Sequence, residues 1–96
     1  MKFRLHREAV RASREITIVN ELGLHARPAA EFVRRAKAFR SDIWLVTENG
    51  RFSALSLIDV MRANLDRGAV VTLEAHGTDA EEALDRLAKL VSGFRD

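Results

Sequence analysis

The succession of two hydrophobic periods constrains the fold of this chain more than any other feature. Apolar residues at every second position predict strands, and apolar residues at every third or fourth position predict helices. Strand patterns occupy residues 15–19, 42–47, 51–54 and 70–75. Helical patterns occupy residues 26–38, 56–64 and 78–94. The predicted order is therefore β-α-β-β-α-β-α, with no internal repeat.

Each predicted helix has one apolar face, so two layers are the economical arrangement: helices covering one side of an antiparallel sheet, an α+β fold. Turn chemistry at residues 48–50 (Glu-Asn-Gly) predicts a hairpin between the second and third strands. Ser56 is placed to cap the second helix. Thr78 and Asp79, each followed three residues later by Glu, give the third helix a doubled capping-box signal.

Composition limits the classes of protein that remain. With 96 residues, 47% of them hydrophobic, the chain suits one domain with a modest core. The net charge of +2 is too small by itself to indicate nucleic-acid binding. There is no Cys, so the chain has no disulfide and must be held together by packing, which fits a reducing cytoplasm. The apolar runs are too short for a signal segment or a membrane span, so we expect a cytoplasmic protein without membrane insertion.

Residues 1–13 differ in character from the remainder. They carry Lys2, Arg4, Arg7 and Arg11 among scattered apolar residues. We interpret them as a basic N-terminal extension, frayed or partly disordered, preceding a domain at 14–96. A weak amphipathic arm for a partner or an anionic surface is the alternative.

His25 is the candidate for chemistry, because it lies between a predicted turn and the first helix. Pro28 suits a first helical turn, where its missing N–H costs nothing, so His25 is predicted near the N-cap. The helix dipole disfavours imidazolium there by ~0.3–1 kcal/mol, which leaves a neutral, nucleophilic ring. Once a phosphoryl group is attached, the free N–H groups of the first turn and the guanidinium of Arg27 would stabilise its oxygens.

Spacing alone leaves other interpretations open. A His before a helix is usually a turn residue, and an Arg in a first turn is usually a solvated charge. A metal site is not predicted, since His6, His25 and His76 are scattered. An RNA-binding module is the alternative from another class, but such modules stack bases on exposed sheet aromatics. Trp44 and Phe52 are the only aromatics on predicted strands.

The run GLHARPAA, residues 23–30, is similar to the phosphohistidine signature of the HPr family, the carriers of the bacterial phosphoenolpyruvate-dependent phosphotransferase system. The likeness continues through ENGR, SLIDVM, RGAVVTLEAHG and EEALDRLAKLV, and thus covers residues 14–94. It implies an HPr-like open-faced β-sandwich: a four-stranded antiparallel sheet in the order 1-4-2-3, covered by three helices.

The resemblance also implies roles. His25 becomes the phosphoacceptor, through Nδ1, and Arg27 the residue that stabilises the phosphate. Enzyme I would phosphorylate the carrier, and an enzyme II A domain would receive the group, in sugar uptake or its regulation. The chain is then a monomeric phosphoryl carrier with a phosphohistidine intermediate, rather than a stand-alone enzyme, and it needs no cofactor. The closing LAKLVSGF resembles the nitrogen-type regulatory branch, which is the alternative within the family.

Two further sets of residues follow from the resemblance. Ser56 matches a serine that an HPr kinase/phosphorylase modifies in some members, but Leu55 precedes it where Lys is common, and we favour a plain N-cap. An apolar docking patch for enzyme I and the A domain is expected at Leu57, Ile58 and Met61. A basic rim for acidic partners is expected at Arg27, Arg34 and Lys37.

Overall fold

The computed structural model describes residues 10–95, and this part of the chain contains four strands and three helices in the predicted order. The elements are β1 Val10–Thr17, α1 Ala26–Ala36, β2 Asp42–Thr47, β3 Gly50–Ser53, α2 Leu57–Arg62, β4 Val70–Gly77 and α3 Ala80–Ser92. Most predicted bounds lie within two residues of these. β1 is the exception.

All strand pairs are antiparallel, and the sheet order is β1-β4-β2-β3. Both the fold class and the strand order are therefore confirmed. The helices cover one face of the sheet. The side chains buried most completely between the layers include Phe32, Ile43, Leu45, Leu73 and Leu87.

The helices differ in how much of their surface they bury. α1 buries a stripe that runs from Pro28 to Ala36, and α3 buries one that runs from Ala80 to Val91. α2 has only Val60 buried. A short helix held by one buried side chain leaves its remaining apolar residues facing solvent.

β1 begins five residues before the predicted Glu15, and the boundary predicted at residue 14 falls inside it. Residues 10–13, assigned above to the extension, pair with residues 74–77 of β4. Only Ala12 of these four is partly buried, so no apolar alternation marked the strand. Its stabilisation comes from backbone pairing with β4, which the side-chain pattern does not record. Residues 1–9 of the predicted extension lie outside the described residues.

The start of α3 also departs from prediction. Asp79 is the N-cap residue, but its side chain makes no capping hydrogen bond. Its carboxylate instead accepts from the Arg40 N–H at 2.9 Å and from the Ser41 hydroxyl at 2.6 Å. Burial opposes ionisation of Asp79, but these hydrogen bonds outweigh it and hold its pKa below the ordinary 3.8. The predicted capping box is thus wrong, because the carboxylate joins α3 to the loop before β2.

Candidate functional site

The turn before α1 is fixed against the loop that follows α2. Gly23 has φ +70°, and a Cβ there would lie 2.5 Å from the Leu65 carbonyl oxygen and 2.8 Å from Asp66 Cα. Only glycine fits so close to another backbone in this conformation. The Leu24 N–H donates to the Leu65 carbonyl at 2.8 Å. The chain therefore enters α1 from a defined position.

Asn20 holds this turn from the inside. It is only 2% exposed, and its Nδ2 donates to the Gly23 carbonyl at 2.5 Å. The same carbonyl accepts the His25 N–H at 2.9 Å. The sequence placed Asn20 in the turn without showing that its side chain would be buried there. An Asn at the start of a predicted turn is the signal that could have indicated this role.

His25 occupies the N-cap of α1, as predicted from the position of Pro28. Its backbone is extended, and its carbonyl accepts the Ala29 N–H at 2.9 Å. Its side chain makes no capping hydrogen bond. The residue therefore starts the helix with its backbone alone, and its imidazole takes no part in the cap.

The first turn of α1 leaves backbone donors open. The first N–H groups of a helix have no intrahelical acceptor. Pro28 has no N–H, and those of Ala26 and Arg27 have no acceptor within residues 10–95. No acidic residue stands in this turn. Two unpaired amides at the positive end of a helix dipole form a site that favours an anion.

The two nitrogens of the His25 ring differ in environment. The ring is partly buried, and Nε2 is enclosed without a hydrogen-bond partner. Nδ1 is not enclosed in this way. The enclosed nitrogen of the ring is therefore Nε2, and Nδ1 is the one left for the predicted role.

Arg27 is exposed and makes no ion pair with the described residues. Two other arginines of the helix are engaged: Arg34 and Arg35 contact the Glu31 carboxylate at 2.5 and 2.9 Å. The hydrogen bond from Arg34 lowers the pKa of Glu31. Of the predicted basic rim, Arg27 and Lys37 have free charges within the described chain, while that of Arg34 is shared with Glu31.

Ser56 is the N-cap of α2, and its Oγ accepts the Asp59 N–H at 3.2 Å. Asp59 in turn accepts the Ser53 N–H at 3.3 Å, so both side chains are used at the start of this helix. The predicted N-cap position of Ser56 is confirmed, and its phosphorylation stays a separate prediction.

The apolar residues of α2 form an exposed surface. Ile58 is 71% exposed, and Leu57 and Met61 are 42% and 41% exposed. Sequence analysis did not single out Leu22, which is 65% exposed three residues before His25. An apolar residue inside a turn, where neither hydrophobic period applies, was the available signal. We name the three exposed residues of α2, Leu57, Ile58 and Met61, the apolar patch.

Two negative findings apply to residues 10–95. No group of three or more His, Cys, Asp and Glu side chains there could hold a metal ion. No helix in that part of the chain is long and apolar enough to cross a membrane.

Comparison with known proteins connects this geometry to a family. The family model PTS-HPr, described as the PTS HPr component phosphorylation site, matches residues 12–93. Phosphocarrier protein HPr of Vibrio cholerae is 47% identical over 79 residues, which cover 81% of this chain and 92% of the relative. The protein of the same name from Neisseria meningitidis is 35% identical over 79 residues, covering 82% and 89%.

Solved structures agree. HPr from Bacillus anthracis superposes with a TM-score of 0.81 at 34% identity, covering 84% of this chain and 96% of that one. HPr-C-His from Thermoanaerobacter tengcongensis superposes with a TM-score of 0.81 at 42% identity, and the match covers 84% of this chain and 91% of that one. A family model spanning most of the residues, full-length relatives and a common fold lead to one conclusion: the chain belongs to the HPr family of phosphocarriers of the phosphotransferase system.

Proposed function

We propose that the chain accepts a phosphoryl group on Nδ1 of His25 from phosphorylated enzyme I and passes it to an enzyme II A domain. The observation that carries this proposal is the open N-terminus of α1. There the Ala26 and Arg27 amides lack acceptors within the described residues, beside a histidine whose Nε2 is enclosed.

The chemistry follows from these positions. The lone pair of Nδ1 attacks phosphorus, and an N–P bond forms as the bond from phosphorus to the donor breaks. This attack requires the tautomer whose ring proton is on Nε2, because only then is the Nδ1 lone pair free. The two amides and the Arg27 guanidinium stabilise the phosphoryl oxygens during and after transfer. The acceptor then attacks the same phosphorus, the N–P bond breaks, and its electron pair returns to Nδ1.

The apolar patch is proposed to dock enzyme I and the A domain. Exposed aliphatic and Met side chains suit a contact that must form and dissolve repeatedly. Arg27 and Lys37, which are exposed and not paired with described residues, would add the basic rim for acidic partners.

We favour the general carrier, acting in the cytoplasm in sugar uptake or its regulation, over the nitrogen-type branch, since the Vibrio and Neisseria relatives are named phosphocarrier protein HPr. An RNA-binding role has less support. Trp44 lies on the open face of the sheet, but the Arg51 guanidinium already stacks over its ring at 3.8 Å. Phe52 packs against the core.

Phosphorylation of Ser56 by an HPr kinase/phosphorylase is a separate proposal with weaker support. Its Oγ already caps α2, and Asp59 in the first turn would repel a phosphate placed there. Incubation with such a kinase, with Ser56→Ala as the control, tests it.

The transfer proposal is tested by incubating the chain with phosphoenolpyruvate and enzyme I. We expect an acid-labile, base-stable mass gain of one phosphate. His25→Ala should abolish the gain, and His76→Ala, which removes a histidine in β4, should retain it. Labelling that persists in His25→Ala would contradict the assignment.

Docking is tested with Ile58→Ser, because so exposed a side chain contributes little to folding. The KM for enzyme I should rise, whereas Val10→Ser, at the end of β1 remote from the turn before His25, should leave it unchanged. Equal KM values for both variants would remove α2 from the docking surface.

A further inference from the structure

β1 is one of the two edge strands of the sheet, and among residues 10–95 it pairs with β4 alone, on one of its two sides. The Ile18 N–H donates to the Ala69 carbonyl, and the Ile18 carbonyl accepts the Gly68 N–H. Because N–H and C=O groups alternate direction along a strand, even-numbered residues of β1 point theirs toward β4. The backbone N–H and C=O groups of the odd-numbered residues point toward the other, free edge; these residues are Arg11, Ser13, Glu15 and Thr17.

The side chains of these four residues share one face. Arg11 stands opposite His76 and Ser13 opposite Glu74, and that row continues to Trp44 on the open face of the sheet. Arg11 and Glu15 are exposed, and neither makes an ion pair with the described residues. The free edge thus carries a positive and a negative side chain on either side of Ser13.

This arrangement is self-complementary. If a second copy pairs antiparallel with β1 about Ser13, Arg11 of each copy stands directly opposite Glu15 of the other. Arg11, Ser13 and Glu15 all point their backbone N–H and C=O groups outward, so this register also allows hydrogen bonds between the two copies. Charge matching and hydrogen bonding are therefore both satisfied by it. Centring the pair on Arg11 or on Glu15 would instead oppose like charges.

We propose that the edge of β1 is a docking surface for a second copy of this chain, which joins two four-stranded sheets through a two-fold axis at Ser13. On the opposite face of the strand, Arg14 stays bound to Asp85 at 2.5 Å and meets the small Ala12 of the second copy. The contact uses none of the residues assigned to phosphoryl transfer, so it can fail without affecting the proposed function. The dimer should be weak, because exposed ion pairs contribute little free energy and a single pairing of strands is all that joins the two copies. Charged side chains on an edge strand oppose association in any other register.

The test is sedimentation of the full chain at low salt, up to about 1 mM, since exposed ion pairs are screened at high salt. We expect a concentration-dependent dimer. Arg11→Glu and Glu15→Arg should each raise its Kd by about tenfold, and the double variant should restore it. A chain that stays monomeric throughout, or a double variant that is not restored, would overturn the proposal.

Ser13→Pro provides an independent test of the edge. Its N–H points outward, so proline removes a donor from the dimer and none from the monomer. We expect a monomer with an unchanged thermal transition. A dimer that survives Ser13→Pro would use another contact and would overturn the proposal.

Discussion

The first and third helices of this chain begin in opposite ways. α3 starts with three carboxylates, those of Asp79, Glu81 and Glu82, which suit the positive end of its dipole. α1 starts with none, and has His25 at its N-cap and Arg27 in its first turn. The chain thus places negative charge at the start of α3, although the Asp79 side chain makes no capping hydrogen bond there. The start of α1 has no carboxylate, and its Ala26 and Arg27 amides have no acceptor within the described residues.

α2 extends the comparison, because its start is capped by Ser56 in the ordinary way. A missing cap costs about 1 kcal/mol, and missing first-turn acids cost a few tenths more. Compared with the capped start of α2, the start of α1 therefore lacks about 1–2 kcal/mol of stabilisation, at the helix end where phosphoryl transfer is proposed.

Arg27→Ala is expected to have the largest effect. If the guanidinium contacts the phosphoryl oxygens, its loss removes about 1.5–3 kcal/mol of stabilisation and slows transfer by about 10- to 100-fold. The free energy of unfolding should change by less than about 0.5 kcal/mol, because the side chain makes no ion pair within the described residues. Rapid-quench transfer from phosphorylated enzyme I and urea unfolding measure the two quantities.

Arg35→Ala is the matched control, since it removes an arginine of the same helix that is already bound to Glu31. Transfer by this variant should stay within about twofold of the unmodified chain. Equal transfer rates for the two variants would reject a specific role for Arg27.

Asp79→Ala tests the opposite kind of helix start. It removes the acceptor for Arg40 and Ser41, and we expect a loss of about 2 kcal/mol in unfolding free energy with an unchanged transfer rate. The lowered pKa of Asp79 sets the pH dependence, because the folded state favours the ionised form. That stabilisation is present above pH 4 or so and is lost as pH falls through the folded pKa.

Urea unfolding at pH 7 and pH 3 checks this. Asp79→Asn should be less stable than the unmodified chain at pH 7, and the difference should shrink at pH 3. A constant difference would show that ionisation of Asp79 does not contribute.

Ser56→Ala should produce a smaller loss, about 1 kcal/mol, because one capping bond to Asp59 disappears. Transfer from His25 should be unaffected. The variant therefore separates a helix start that contributes stability from one that contributes chemistry. A loss of transfer without a loss of stability would indicate that Ser56 belongs to the functional surface.

The sequence carried enough information for the element order, and the position of Pro28 placed His25 at a helix start. It could not show where β1 begins, because strand pairing at residues 10–13 uses backbone groups and leaves the side chains exposed. Nor could it show that Asp79 would turn from its own helix toward Ser41. That choice depends on residues 38 positions apart, which only the folded chain brings together.

In the candidate site, too, local features could be predicted from the sequence, whereas features that depend on contacts between distant residues could not. A short motif marked His25 and Arg27, because the proposed chemistry uses residues that are close in sequence. The hydrogen bond from Leu24 to Leu65 depends on the position of the loop after α2, and no local sequence pattern records it or the enclosure of Nε2. The strand order required the resemblance to a family, because periodicity alone does not pair strands.

Ala26→Asp gives the smallest expected change and the sharpest contrast, because it places at α1 the kind of carboxylate that α3 already has. The variant should gain about 0.3–1 kcal/mol in unfolding free energy from the helix dipole, and transfer should slow by about two- to fivefold because the new charge repels the phosphoryl oxygens. Ala30→Asp, exposed one turn further along α1, should change both quantities less, since the dipole effect fades beyond the first turn. If Ala26→Asp raised stability and left transfer unchanged, the phosphoryl group could not lie at this helix end, because one charge cannot favour the empty amides without opposing the anion they receive.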